Sequence, residues 1–317
     1  MNVLANDGIS QEGVEKLTAA GFNTILESVD QANIIDFINE NNIEVLLVRS
    51  ATKVRKDLID SCKSIKIIGR GGVGMDNIDV SYAKEKGIHV INTPAASSIS
   101  VAELVFAHLF SCVRSLHISN REMPLDGDKE FKKLKKNYAG GTELKEKTLG
   151  VVGFGRIGQE VAKIGIGVGM NVIFYDLLNK KAEIEIDFFD GSSKRFGLES
   201  STFDELLKES DFISLHVPAQ KDYIIGDKEF SLMKNGSGII NAARGGVIDE
   251  ESLIKYIDNK NLSFAALDTF ENEPTPSIKI LMNQKISMTP HIGAATKEAQ
   301  KRIGIELAEQ IINLYTK

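Results

Sequence analysis

One turn limits this chain more than any other stretch. Thr148-Leu149-Gly150-Val151-Val152 is an apolar run of strand length. It ends in Gly153-Phe154-Gly155-Arg156-Ile157-Gly158, and Gln159 to Ala162 continue as helix. A strand that stops on Gly-x-Gly-x-x-Gly and restarts as a helix predicts a parallel, doubly wound sheet that binds a dinucleotide. Gly153 permits the tight turn, Gly155 lets the backbone approach a pyrophosphate, and Gly158 lets helix pack on strand. The first-turn amides and the positive end of the helix then face the phosphates. A second apolar run, Val172 to Tyr175, ends at Asp176, 18 residues after Gly158 (176 − 158). An acidic residue is expected about 20 residues on, where it meets the ribose hydroxyls. A carboxylate there repels a 2′-phosphate, so the pattern predicts NAD rather than NADP.

Similar alternation runs through the chain. Val3-Leu4-Ala5, Val45 to Val48, Ile65 to Ile68 and Val90-Ile91 read as short strands, with helix patterns at Gln11–Ala20, Leu58–Ser61 and Val80–Lys86. Ser100 to Ser119 reads as one long helix, Ser100 as its N-cap and Glu103 at capping-box spacing. A Lys-rich polar stretch follows from Asp126 to Tyr138. After the glycine turn come strands at Val172–Tyr175, Phe212–Leu215, Gly238–Asn241, Phe264–Leu267 and Ile286–Thr289, and a closing helix at Lys297–Tyr315. Strands that alternate with helices imply parallel sheets with crossover helices. Between Ala182 and Leu198 the pattern breaks: Ile184, Ile186 and Phe188 alternate with charged residues, Asp190-Gly191 offers a tight turn, and a surface hairpin is expected.

At 317 residues the chain has room for two domains. Its net charge of −6 argues against a nucleic-acid partner, which needs a basic excess. Two scattered cysteines, Cys62 and Cys112, make no disulfide framework and read as buried structural thiols in a reducing, cytoplasmic setting. The first residues carry no signal-peptide pattern, and no apolar run reaches membrane-helix length, so no membrane partner is expected. No metal is expected.

Three segments follow later strands of the cofactor series. Asn241-Ala242-Ala243-Arg244-Gly245-Gly246 puts an arginine at a strand's carboxyl end, where such sheets bind ligands. A guanidinium there can grip a carboxylate bidentately and polarise the adjacent carbonyl. The others are Leu267-Asp268-Thr269-Phe270-Glu271-Asn272-Glu273-Pro274 and Met288-Thr289-Pro290-His291-Ile292-Gly293-Ala294. Oxidation of an alcohol needs a base for the hydroxyl proton as hydride leaves carbon, and a histidine titrates in the right range. His291 is the candidate, with Glu273 as the carboxylate that fixes its tautomer.

Together these segments resemble the D-isomer-specific 2-hydroxyacid dehydrogenase family, most closely its phosphoglycerate-oxidising branch. Val48-Arg49-Ser50-Ala51-Thr52-Lys53, Gly69-Arg70-Gly71-Gly72-Val73-Gly74, Asn92-Thr93-Pro94 and Leu215-His216-Val217-Pro218 complete the likeness, which spans nearly the whole chain. It implies an α/β fold of two Rossmann-like or flavodoxin-like domains with parallel sheets. The cofactor domain, 98–290, would be inserted into a discontinuous substrate domain, 1–97 plus 291–317. The resemblance also implies roles. Arg244 would bind the substrate carboxylate and carbonyl, with His291 as acid/base and Glu273 as its partner. Asp176 would hold the ribose, and the amides of Arg156 and Ile157 the pyrophosphate. His216, Val217 and Pro218 would line the adenine side. Ala242, Ala243, Asp268, Gly293 and Ala294 would lie toward the nicotinamide, with Asp268 at its carboxamide. Gly72, Val73 and Gly74 would give amides to the substrate carboxylate, Val73 touching the cofactor as well. The long helix and the arm after it would pair two subunits into a homodimer.

The branch implies a small phosphorylated 2-hydroxy or 2-oxo acid as substrate, with its phosphate near Arg49 and Ser50. A glyoxylate or hydroxypyruvate reductase of the same family is the alternative, and a non-catalytic, NAD-sensing corepressor-like binding protein a second. Ser97 stands where family members often have Asn, which puts a direct amide contact there in doubt. The likeness ends with the closing helix, short of the regulatory domain through which longer relatives sense serine, so no serine feedback through such a domain is expected.

Overall fold

The computed structural model describes residues 1–315. The chain divides into two compact units, Met1–Ser100 with the segment from Ala294 on, and Val101–Gly293. These borders fall three residues past those read from sequence, for local reasons. Ser100 Oγ shares a hydrogen bond of 2.8 Å with Thr296 Oγ1, and Arg302 Nε donates to the Ala96 carbonyl, which keeps 98–100 with the first unit. The Ile292 and Gly293 amides donate to Asp268, which keeps 291–293 with the second.

The first unit alternates β1 (Asn2–Ala5), α1 (Gln11–Ala19), β2 (Asn23–Ile25), α2 (Ile34–Glu40), β3 (Ile43–Val48), α3 (Lys56–Ser61), β4 (Ile67–Arg70), α4 (Val80–Glu85) and β5 (His89–Asn92). Its sheet is wholly parallel, in the order β2-β1-β3-β4-β5. A parallel sheet covered on both faces needs nearly continuous apolar strands, and β3, Ile-Glu-Val-Leu-Leu-Val, is one. Leu4, Ile38, Leu46 and Ile68 form the core on one side; Val3, Leu17, Val45 and Leu47 form it on the other, with Ala308 and Ile311 of the closing helix.

The second unit starts in α5 (Ser98–Val113) and continues through α6 (Leu116–Asp126) and α7 (Phe131–Asn137). Then follow β6 (Thr148–Val152), α8 (Arg156–Gly167), β7 (Asn171–Tyr175), β8 (Lys181–Asp187), β9 (Ser193–Glu199), α9 (Phe203–Glu209), β10 (Phe212–Leu215), α10 (Asp227–Leu232), β11 (Ser237–Asn241), α11 (Glu250–Asp258), β12 (Leu262–Leu267), α12 (Ile278–Leu281) and β13 (Ile286–Met288). The six-stranded parallel sheet runs β13-β12-β11-β10-β6-β7. The expected hairpin is present as the antiparallel pair β8–β9, with Ile184 turned into the core. The last helix, α13 (Lys297–Tyr315), returns to the first unit and buries Ala299, Ile303, Leu307 and Ile311 at helical spacing.

Three sequence expectations need correction. The long helix is two helices: Ser115 takes a left-handed conformation (φ +50), and α5 and α6 meet at 58°. Ser100 is not an N-cap, because the helix already begins at Ser98 and its hydroxyl turns to Thr296. The Lys-rich stretch contains α7, held by buried Leu134. Cys62 and Cys112 are free and buried, and burial pushes their thiols up to about 11 and about 12. Among the described residues no single helix is long and apolar enough to cross a membrane.

Candidate active site

The glycine turn sits at the carboxyl end of β6, where strand order reverses between β6 and β10. Such a switch point opens a crevice beyond the strand ends. The three glycines are required for different reasons. Gly153 has φ +89, and a Cβ on it would lie 2.5 Å from the His216 carbonyl oxygen. A Cβ on Gly158 would lie 2.2 Å from the Gly153 carbonyl oxygen. A Cβ on Gly155 would meet nothing within 4 Å, so the backbone there faces open space. Gly155 caps α8 without a side-chain bond, which leaves the first-turn amides of Arg156 and Ile157 for a ligand.

Asp176 closes the turn from β7. Its Oδ2 accepts from the Phe154 amide at 2.7 Å and its Oδ1 from the amides of Leu178 and Asn179 at 2.8 Å. Burial pushes this carboxyl up, but the amides of Asn179, Phe154 and Leu178 together hold it below its ordinary value. Each carboxylate oxygen has two acceptor sites, so one site, on Oδ2, remains for a ribose hydroxyl. On the other wall His216 shares a hydrogen bond of 2.8 Å with Ser214 Oγ; its Nδ1 is buried and without a partner, and burial pulls the ring down to about 3. His216 is therefore a neutral wall group, with Val217 and Pro218 beside it. An open glycine, uncapped helix amides and an anchored carboxylate fit a dinucleotide.

The catalytic candidates gather at the ends of the neighbouring strands β11, β12 and β13. Asn241 shapes the first loop: its Oδ1 accepts from the Ala243 amide at 3.0 Å, and its Nδ2 donates to the Arg244 carbonyl at 2.9 Å. Arg244 Nη1 donates to the Ala243 carbonyl at 2.6 Å. A Cβ on Gly245 would come within 1.8 Å of the Phe270 carbonyl oxygen, so this loop packs directly on the next. Glu273 accepts from the Phe270 amide through Oε1 and meets His291 Nδ1 through Oε2 at 2.8 Å. A cavity of about 510 Å³ opens beside the dyad, lined by Arg121, Phe270, Glu273, Pro274, Met288 and His291 among others.

His291 itself has φ +55. A non-glycine residue there costs about 1–3 kcal/mol and persists only where its surroundings hold it. Asp268 supplies that hold. It is 2% exposed, and its carboxylate, expected at the nicotinamide carboxamide, accepts from Thr289 Oγ1, the Ile292 amide and the Gly293 amide. Ala242 and Ala243 are buried beside it in the strand-end loop.

Arg49, Ser50, Gly72, Val73, Gly74 and Ala294 belong to the first unit. Arg49 and Ser50 line a cavity of about 480 Å³ at the ends of β1, β2 and β3, with Asn6, Asp7 and Glu27. In the glycine loop the Gly72 amide donates to the Arg70 carbonyl at 2.9 Å, a three-residue turn about Gly71. That removes one of the three expected substrate donors and leaves the Val73 and Gly74 amides. Ser97 is buried at 1% exposure.

Residues 106–293 match the family model for the D-isomer-specific 2-hydroxyacid dehydrogenase NAD-binding domain. The chain belongs to the D-isomer-specific 2-hydroxyacid dehydrogenase family. These dehydrogenases are NAD-dependent oxidoreductases, and NAD is the cofactor. The chain is 44% identical to a hydroxypyruvate reductase of Thermotoga maritima, over 98% of this chain and 96% of that one. It is 40% identical to a D-3-phosphoglycerate dehydrogenase of Methanocaldococcus jannaschii, over 98% of this chain but 57% of that one, so it spans little more than half of that relative. The NAD+-bound 3-phosphoglycerate dehydrogenase of Entamoeba histolytica superposes on all of this chain and 96% of its own, with a TM-score of 0.77 at 28% identity.

One histidine of this unit escaped the sequence reading. His108 of α5 is buried and bonded to Ser287 and Thr289. Its partners lie 179 and 181 residues away, and a histidine on a buried helix face carries no motif.

Proposed function

We propose that the protein oxidises 3-phospho-D-glycerate to 3-phosphohydroxypyruvate, reversibly, with NAD. The hydrogen bond between His291 and Glu273 carries the chemical part of this reading. A carboxylate only accepts, so the hydrogen of that bond resides on His291 Nδ1 and Nε2 is left as the base. In the oxidising direction Nε2 takes the hydroxyl proton, and Glu273 stabilises the imidazolium that results. Arg244 binds the substrate carboxylate and polarises the adjacent carbon–oxygen bond. When bound, NAD would supply the hydride acceptor; Gly153, Gly155, Arg156, Ile157, Gly158 and Asp176 would hold it, with His216, Val217 and Pro218 as a wall.

The phosphate assignment rests on Arg49 and Ser50, which face one cavity. Reduction of unphosphorylated hydroxypyruvate is the second reading. It is favoured by the 44% identity, nearly end to end, with the Thermotoga reductase, and by Asp7 and Glu27 in the same cavity as Arg49. The deciding experiment compares kcat/KM with NADH for 3-phosphohydroxypyruvate, hydroxypyruvate and glyoxylate, in the parent and in Arg49→Ala. A strong preference for the phosphorylated acid that Arg49→Ala abolishes supports the first reading; equal or higher rates on hydroxypyruvate assign the second. We also infer a homodimer through α5–α7, where Phe110, Leu116, Leu125 and Phe131 are exposed. A scattering mass of a single chain at micromolar concentration would overturn it.

A further inference from the structure

His108 is 4% exposed, and both of its ring nitrogens are engaged, Nδ1 with Ser287 Oγ and Nε2 with Thr289 Oγ1, each at 2.9 Å. The direction of these bonds follows from their far end. Thr289 Oγ1 donates to Asp268 Oδ1 at 2.6 Å, which commits its one hydrogen. Its oxygen must then accept from His108 Nε2–H, and His108 Nδ1 accepts from the Ser287 hydroxyl. The chain runs one way: Ser287, His108, Thr289, Asp268. Burial pulls His108 below its ordinary value, so the neutral ring that this direction requires is the form present near neutral pH. At its end Asp268 grips the amides of Ile292 and Gly293, the two residues after the left-handed His291. Glu273 fixes the imidazole from the side-chain end, and this chain fixes it from the backbone end.

We propose that His108 is a positioning residue of the reaction, acting through Thr289 and Asp268 to hold the His291 backbone in its left-handed conformation. The inference rests on His291 being the acid/base. Thr289→Val removes the relaying hydroxyl at nearly constant shape, and Thr289→Ser restores it. His108→Leu removes the donor, and His108→Gln returns an N–H. Kinetics use NADH and whichever 2-oxo acid the parent turns over, with NADH affinity by fluorescence and melting temperature measured alongside. Thr289→Val and His108→Leu should each lower kcat roughly tenfold or more, the usual consequence of a misplaced catalytic group. KM and NADH affinity should stay within about twofold, and Thr289→Ser and His108→Gln should recover most of kcat. If Thr289→Val or His108→Leu does not fold, Thr289→Ala or His108→Met, which also lack the relaying group, takes its place: a deficit in kcat alone supports the proposal, and parental kcat overturns it. Parental kcat in Thr289→Val and His108→Leu, a parallel loss of kcat, substrate KM and melting temperature, or no recovery in the conservative variants would also overturn it. His291→Ala separates the two claims: its inactivity beside normal relay variants removes the positioning role alone, whereas its retained turnover removes the acid/base reading beneath it.

Discussion

The two units share a winding but not a use. One sheet runs β2-β1-β3-β4-β5 and the other β7-β6-β10-β11-β12-β13, so each reverses direction beside its first strand. Each therefore owns a crevice at its strand ends. In the first unit a carboxylate shapes it: Asp7, on the cavity wall, accepts from the amides of Arg49 and Thr52 and from Thr52 Oγ1. In the second unit glycines clear it, and the first-turn amides of α8 have no side-chain cap. Topology supplies the crevice, and a few residues decide whether a bonded carboxylate or bare backbone lines it.

The comparison can be broken in four places. His291→Ala should cut turnover by roughly 10²–10⁴-fold; stopped-flow reduction near the parental rate would remove chemistry from the second unit's strand ends. Gly155→Ala should weaken NADH binding about tenfold or more, because the new methyl occupies the space the phosphates need, a change of about 1.4 kcal/mol per decade. Its melting temperature should be nearly parental, since the methyl meets no protein atom; parental NADH affinity would show that the clearing serves nothing.

Asp176→Ala should narrow the preference for NAD over NADP severalfold, read as a ratio of kcat/KM values. It also carries a pH signature. A carboxyl held below its ordinary value stabilises the fold fully above that value, about pH 4, and loses the contribution as pH falls through the lowered one. The gap in urea midpoint between parent and variant should stay constant from pH 7 to about 5 and close only in stronger acid; a gap that closes near neutrality would contradict the bonding described. The smallest effect on catalysis belongs to Asp7→Ala. It leaves partly buried donors unmet and should cost about 1–3 kcal/mol of stability in a urea melt, with NADH affinity unchanged. A loss of NADH affinity there would mean that the two crevices are not independent.

What could be read from sequence was whatever is local. Alternation of Ile184 and Ile186 with charges announced the β8–β9 hairpin, and apolar spacing from Lys297 onward announced α13. The glycine turn and its acidic partner were legible because each is a strand-to-loop transition with fixed spacing. Three features were not. The break at Ser115 depends on one residue adopting a left-handed conformation, which serine does not advertise. The short β2 and α2 were passed over, although Ile34 and Ile38 stand four apart and both are buried. The His108 chain joins α5 to β13 through side chains nearly two hundred residues apart, and only the folded sheet brings them together.

The β8–β9 hairpin has a consequence for the sheet edge beside it. β7 ends the six-stranded sheet. An open strand edge is a template onto which another chain can add. As the chain leaves the hairpin, Ser200 bridges to Phe174 and the Ser201 amide donates to the Phe174 carbonyl at 2.9 Å, so part of that edge is already spoken for. The hairpin's own face carries Lys181 against Glu199 and Arg195 against Glu183 and Glu185. The insertion thus works as a cuff over part of the open edge of the cofactor sheet.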